Sequence, residues 1–149
     1  MLTNKGKYGL KAMVHLAGLL PGRPALVAEI AAANAIPKKF LDAILGELRT
    51  AGLVYSRKGR GGGYVLAKTA SEIAVGDVVR ALDGPLAPIA CASRNYYRRC
   101  ADCPNEAKCP VRLIMLEARN AIAEVLDRHS LADLRALAEF DQQSLMYHI

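Results

Sequence analysis

The stretch IPKKFLDAILGELRTAGLVYSRKGRGGGYVLAK, residues 36–68, carries the pattern that decides the fold. Pro37 suits the first turn of a helix, where its missing N–H costs nothing. Leu41, Ile44, Leu45 and Leu48 then share one helical face, and Ala51-Gly52 ends the run. Two short β-like runs follow, Leu53–Arg57 and Gly63–Ala67, around a glycine-rich tip. Glycines at 59, 61, 62 and 63 permit positive φ and close backbone approach. Arg57, Lys58 and Arg60 put positive charge on that tip. Helix, strand, basic tip, strand is the pattern of a winged helix. A glycine-rich loop also cradles nucleotide phosphates, but that use needs Lys-Ser/Thr at its end and a helix beyond. Here a second strand follows instead.

Toward the N-terminus, Thr3 can cap a helix from about Asn4 to Leu19, with Tyr8, Ala12, Met13, Leu16 and Leu19 inward. Pro21, Gly22 and Pro24 stop it. A short helix over Val27–Ala33 and a turn at Asn34-Ala35-Ile36 complete a helix-turn-helix. The expected fold is therefore mainly α with a small β-wing, residues 1–84 forming a winged helix-turn-helix domain. Charge agrees with a polyanionic partner. Residues 1–70 hold eleven basic and three acidic side chains; residues 71–149 hold nine and eleven. A helix-turn-helix presents the start of its last helix to the major groove of double-stranded DNA. That places Lys38, Lys39, Phe40 and Asp42 at the bases or nearby phosphates, with phosphate contact the commoner role for the lysines. Phe40 fits either the core or a thymine methyl. Arg57, Lys58 and Arg60 are placed for the DNA backbone or minor groove.

Toward the C-terminus, a short helix over Val75–Leu82 stops at Gly84-Pro85. Residues 85–109 then form a polar segment, and CASRNYYRRCADCPNEAKC, residues 91–109, contains every cysteine of the chain: Cys91, Cys100, Cys103 and Cys109. Arg94, Arg98, Arg99, Lys108 and Arg112 surround them, and such cations favour thiolates. Residues 110–149 read as a long helix from Pro110 to Arg128 and a capped final helix, Ser130 with Asp133, to about Phe140. Ile114, Met115, Ala118, Ile122 and Val125 lie on a broad apolar face suited to a homodimer, since such proteins usually read two-fold palindromic operators as dimers.

Hydrophobic residues make up 52% of the chain and charged ones 23%, which is a globular rather than a disordered composition. No apolar run approaches the ~18 residues of a membrane span, and the N-terminus lacks a secretory signal, so the expected location is cytoplasmic, without a membrane partner. In a reducing compartment, clustered cysteines are ligands or redox thiols rather than structural disulfides. Four thiolates suit zinc or an iron–sulfur cluster. A single C-x2-C argues against a zinc ribbon, which uses two. No nucleophile, base and orienting group stand together, and His15, His129 and His148 lie in ordinary settings, so the chain does not read as an enzyme.

The segments LTNKGKYGLKAMVHLA, residues 2–17, residues 36–68 and IAVGDVVRALDG, residues 73–84, followed by a cysteine loop and a long helix, resemble the BadM/IscR-type family of winged-helix regulators. The resemblance covers about residues 1 to 135. It implies a homodimeric DNA-binding transcriptional regulator, paired through the long helix. In many members a loop just before that helix holds an iron–sulfur cluster through three cysteines. Cys91, Cys103 and Cys109 match those three. This chain departs from the pattern in two ways. Cys100 is extra. Arg112, which cannot be a ligand, stands where some relatives carry a histidine. Other relatives borrow a ligand from the partner's N-terminal part, yet residues 1–28 contain no Asp or Glu, and His15 is their only imidazole. Cys100 is then the candidate fourth ligand, or a spare thiol.

The expected function is thus a transcriptional regulator whose operator binding follows a [2Fe–2S] or [4Fe–4S] cluster sensing iron, redox or nitric oxide status. One alternative keeps DNA binding with zinc or a thiol/disulfide switch. Another, of a different class, is an iron–sulfur electron-transfer or scaffold protein that does not bind DNA.

Overall fold

The computed structural model describes residues 2–147, with side chains through residue 143; His148 lies outside the described residues. Thr3 caps α1 (Asn4–Ala17): its Oγ1 accepts from the Gly6 N–H at 3.1 Å. The same residue reaches Asp83, whose carboxylate accepts from Thr3 N–H at 2.9 Å. This ties the start of α1 to the end of α4 (Val75–Asp83). α1 ends two residues before Leu19 because Gly18 already closes the last turn onto Val14 and His15.

α2 (Val27–Asn34) and α3 (Lys38–Thr50) are joined by a turn in which Ala35 takes the left-handed conformation, φ 53°. Only a few per cent of non-glycine residues do so. Pro37 stands just outside α3 rather than inside it, and its carbonyl receives the Leu41 N–H. Leu41, Leu45 and Leu48 of α3 are fully buried with Met13 and Ile30. The four-residue period seen in the sequence is therefore the face that fills the core.

The wing is a two-stranded antiparallel hairpin, β1 (Val54–Arg57) and β2 (Gly63–Leu66), in the register Val54 to Leu66 and Arg57 to Gly63. A third piece pairs with it. Ala25 and Tyr64 exchange backbone hydrogen bonds at 3.0 and 2.8 Å. Gly63, at φ 138°, permits this approach, since a Cβ there would sit 2.3 Å from the Ala25 carbonyl oxygen.

α5 (Pro110–Arg128) leads into α6 (Leu131–Tyr147), which runs past the Phe140 end expected from sequence. Ser130 and Asp133 form the capping box as read, with hydrogen bonds of 2.8 and 3.2 Å. The Asp133 carboxyl is held below the usual carboxylate range, first by the Ser130 N–H. Leu131 is fully buried in the same core as α1 and α3, so the chain returns to the winged domain after α5. Among the described residues no helix is long and apolar enough to cross a membrane.

Candidate nucleic-acid interface and cysteine segment

The start of α3 is open to solvent. Phe40 is 61% exposed, so it takes no part in the core. Lys38 and Lys39 are exposed beside it. Lys38 pairs with Asp42 at 3.1 Å, an exposed i, i+4 pair that contributes little to stability. So weak a pair leaves either side chain free to turn to another partner at small cost. The wing tip carries Arg57, Lys58 and Arg60, all exposed. Gly59 and Gly61 have positive φ, and Gly62 N–H closes the turn onto Gly59 O at 3.1 Å. Tyr55, which sequence reading left out, lies under the Arg57 guanidinium at 6.0 Å from the ring centroid. It would have been found as the outward residue of a strand whose alternation puts Val54 inside.

The segment before α5 is built around two single 3-10 helical turns, Ala90–Ala92 and Glu106–Lys108, with no α-helix or strand. Cys91 is buried at 4% exposure, Cys103 and Cys109 are half-buried and Cys100 is exposed; all four are free. The Sγ atoms of Cys91 and Cys100 lie 4.0 Å apart. Two thiolates on one tetrahedral ion would stand about 3.8 Å apart, given a metal–sulfur bond of ~2.3 Å. Cys109 caps α5, its Sγ accepting from the Arg112 N–H at 3.5 Å. The helix N-terminus offers its unpaired N–H groups to negative charge at that sulfur. The donor set fits an iron–sulfur cluster or zinc in its chemistry. Among the described residues, however, no three His, Cys, Asp or Glu side chains converge on one point, so the thiols are only partly gathered.

Two of the arginines hold backbone carbonyls. Arg112 donates its Nε–H to the Cys91 carbonyl at 3.0 Å, and Arg99 donates to the Cys103 carbonyl at 3.0 Å. They brace the backbone rather than the sulfurs. The Cys100 thiol is pushed up, not down, first by its hydrogen bond to Cys91. Tyr97 is likewise raised by donating to the Glu106 carboxylate, which closes the loop across itself. His15 faces none of this: its Nδ1 meets the Asn34 amide at 3.2 Å, between α1 and α2.

The fold and the exposed basic face define the class, a winged helix-turn-helix DNA-binding protein. Residues 2–136 match the Rrf2 family model, described as an iron-dependent transcriptional regulator, and the chain belongs to this family. It is 40% identical over 139 residues to the rrf2-like helix-turn-helix regulator named in Rhodobacter capsulatus, covering 91% of this chain and 93% of that one. The solved structure of CymR, titled the global cysteine regulator of B. subtilis, superposes with a TM-score of 0.76 at 34% identity, over 92% of this chain and 97% of that one. That of T. potens IscR gives 0.75 at 30% identity, over 95% and 90%. The family consists of transcriptional regulators, and the electron-transfer reading falls away.

Proposed function

We propose that this Rrf2-family regulator binds a palindromic operator as a homodimer, and that a cysteine-held iron–sulfur cluster, [2Fe–2S] or [4Fe–4S], sets its affinity in response to iron, redox or nitric oxide status. The observation that carries this reading is the placement of the thiols. All four stand in one segment, and the last of them, Cys109, is the cap of α5. Cys91, Cys103 and Cys109 would hold the group, with Cys100 as the fourth ligand. When bound, the cluster supplies redox and ligand-exchange chemistry at those sulfurs. The chain's own part is mechanical. Arg112 links the Cys91 carbonyl to the first turn of α5, so the order of the segment and the position of that helix are coupled. A ligand shifts DNA affinity only as far as it distinguishes two such arrangements.

Dimerisation rests on α5. Arg119 is the one residue of this helix that its own chain buries among those described, while Val111, Ile114 and Val125 are 56%, 55% and 47% exposed. Val111, Ile114, Ala118, Ala121 and Val125 follow three- and four-residue steps, the spacing of a coiled-coil seam. A second copy is the occupant this stripe fits. Met115 and Ile122 are half-buried; Ile122 lines an apolar cavity with Leu10, Val79 and Pro85 of its own chain, at the edge of the seam. On DNA, the start of α3 would enter the major groove and the wing would lie on the backbone or in the minor groove.

A second reading is favoured by the Cys91–Cys100 contact. A peroxide-type oxidant could take two electrons and two protons from this pair, forming a disulfide. Protein purified without oxygen decides between them. A visible sulfide-to-iron absorption with matching iron and sulfide content supports the cluster. Colourless protein overturns it, and zinc analysis with non-reducing mass spectrometry then separates a zinc site from a thiol switch.

A further inference from the structure

Among the described residues, Arg119 is a charged side chain buried without an ionic partner. It is 9% exposed, and its Nε has no hydrogen-bond partner among the described residues. Among the described residues its side chain makes one hydrogen bond, from the terminal nitrogen to Asn120 Oδ1, a neutral acceptor. No carboxylate pairs with it among the described residues. A buried unpaired charge ordinarily costs several kcal/mol and is removed or neutralised. Here a second positive charge, Arg94, lies close enough to add to burial in pressing the Arg119 guanidinium down.

These two arginines line one cavity of about 260 Å³, together with Ser93, Tyr96, Arg80 and Asp127. The acid on its wall is already taken: Asp127 accepts from both terminal nitrogens of Arg80, at 2.8 and 2.6 Å. Ser93 Oγ accepts from the Tyr96 N–H at 3.0 Å, which leaves its hydroxyl proton free to donate inward. What remains is a concave site with donors from Arg119, Arg94 and Ser93 and no free acid to satisfy them. The walls come from α4, residues 85–96 and α5 of a single chain. On α5, at about 100° per residue, Arg119 lies roughly 120° from the centre of the exposed apolar stripe. Arg119 is thus turned off the face on which a partner helix would sit.

We propose that this cavity binds a small anion bearing a carboxylate or phosphate group, gripped by Arg119 and Arg94 and oriented by the Ser93 hydroxyl. Guanidinium groups match such oxyanions in shape and number of donors. Its lining flanks Cys91 on both sides, and Ser93 caps the short turn that carries Cys91, so an occupant would fix the segment from which the cysteine centre hangs. Binding here is separate from the chemistry of the sulfurs.

The test is ligand-induced stabilisation of the full-length, reduced protein at constant ionic strength. The probes are inorganic phosphate and sulfate in one arm, and acetate and succinate in the other, at millimolar concentrations. A saturable rise in melting temperature with one arm identifies the chemistry, because only binding to the folded state produces it. Arg119→Met, which keeps the volume and removes the buried charge, should bind that probe weaker by about tenfold or more, the scale of one lost charge-assisted hydrogen bond. Arg94→Ala changes an exposed residue and should weaken binding in the same direction while leaving the fold intact. Failure of every probe to give a saturable rise overturns the proposal. So does a rise that persists unchanged in both variants. If wild-type protein binds no probe and Arg119→Met dissociates the dimer in sedimentation, a partner carboxylate fills the cavity and the proposal is wrong.

Discussion

The winged domain and the segment that follows it solve opposite problems. In the first, Ile30, Leu41, Leu45, Leu48, Val54, Ile73 and Val78 are all at 2% exposure or less, and the helices close around them. In the second, residues 85–109 bury Cys91, Ala92 and Ser93, and α5 buries Arg119. One region satisfies itself. The other leaves thiols, an apolar stripe and a cationic cavity facing outward. Regions that switch are drawn from the weakly held end of a structure, because they must exist in two arrangements of similar free energy. Under the proposed function, the division of labour is a division of stability.

The sharpest way to break this contrast is to cut into each side. Leu45→Ala removes a fully buried side chain from α3 and should cost about 2–5 kcal/mol. Leu113→Ala on α5, where the side chain is 52% exposed, should leave the unfolding midpoint of the free chain nearly unchanged. Equal losses in denaturant titrations would mean that both regions contribute alike to the fold. Next in size is Ile114→Lys, which places a charge in the proposed seam. It should shift the protein from dimer to folded monomer in sedimentation, with far-ultraviolet circular dichroism retained. An intact dimer would show that the second copy sits elsewhere. Ile114 is a cleaner probe than Ile122, whose change would also damage the cavity against α1 and α4.

The same contrast explains what the sequence could tell. The helix-turn-helix and wing were legible because their signals are local and periodic: a four-residue repeat in α3, glycines where φ must be positive, base clustered at a tip. The bridge from Ala25 to Tyr64 was not, because it joins residues far apart and has no pattern of its own. Arg119 was missed for a related reason. Between Met115 and Ile122 it reads as the polar edge of an apolar face, and only the fold shows that α4 and residues 85–96 close over it. The surrounding cations were legible as charge, but the hydrogen bonds that two of them make were not. Backbone carbonyls, invisible in a sequence, captured Arg99 and Arg112.

Two smaller effects sharpen each side in turn. Arg60→Ala at the wing tip should weaken DNA binding and reduce the salt dependence by about one counterion. An unchanged slope removes Arg60 from the interface. In the fold itself, the depressed pKa of Asp133 means that its stabilising contribution is full above the ordinary carboxylate pKa. It is lost as pH falls through the lower, folded value. Asp133→Asn should therefore flatten the acid limb of a stability–pH curve and leave the alkaline limb alone. An unaltered acid limb would mean that the cap does not hold α6.

The smallest effect expected on the fold is at Cys100, and it separates the two readings of the cysteine segment. Cys100 is exposed and braces nothing except the Cys91 thiol, so Cys100→Ser should leave the melting temperature of the reduced protein unchanged. Its consequences lie in the sulfur chemistry alone. If Cys100 is the fourth ligand, reconstitution with iron and sulfide without oxygen should give an altered spectrum and a weaker centre, while Cys91→Ala, Cys103→Ala and Cys109→Ala lose iron outright. If Cys100 serves instead as the partner of Cys91 in a disulfide switch, the wild-type protein is colourless, and the variant should fail to form the oxidised species seen by non-reducing mass spectrometry. The raised pKa of its thiol slows a direct attack on an oxidant at neutral pH, because the thiolate is the nucleophile. Oxidation by that route should accelerate as pH rises toward the thiol's range, and a rate independent of pH would rule Cys100 out as the attacking sulfur.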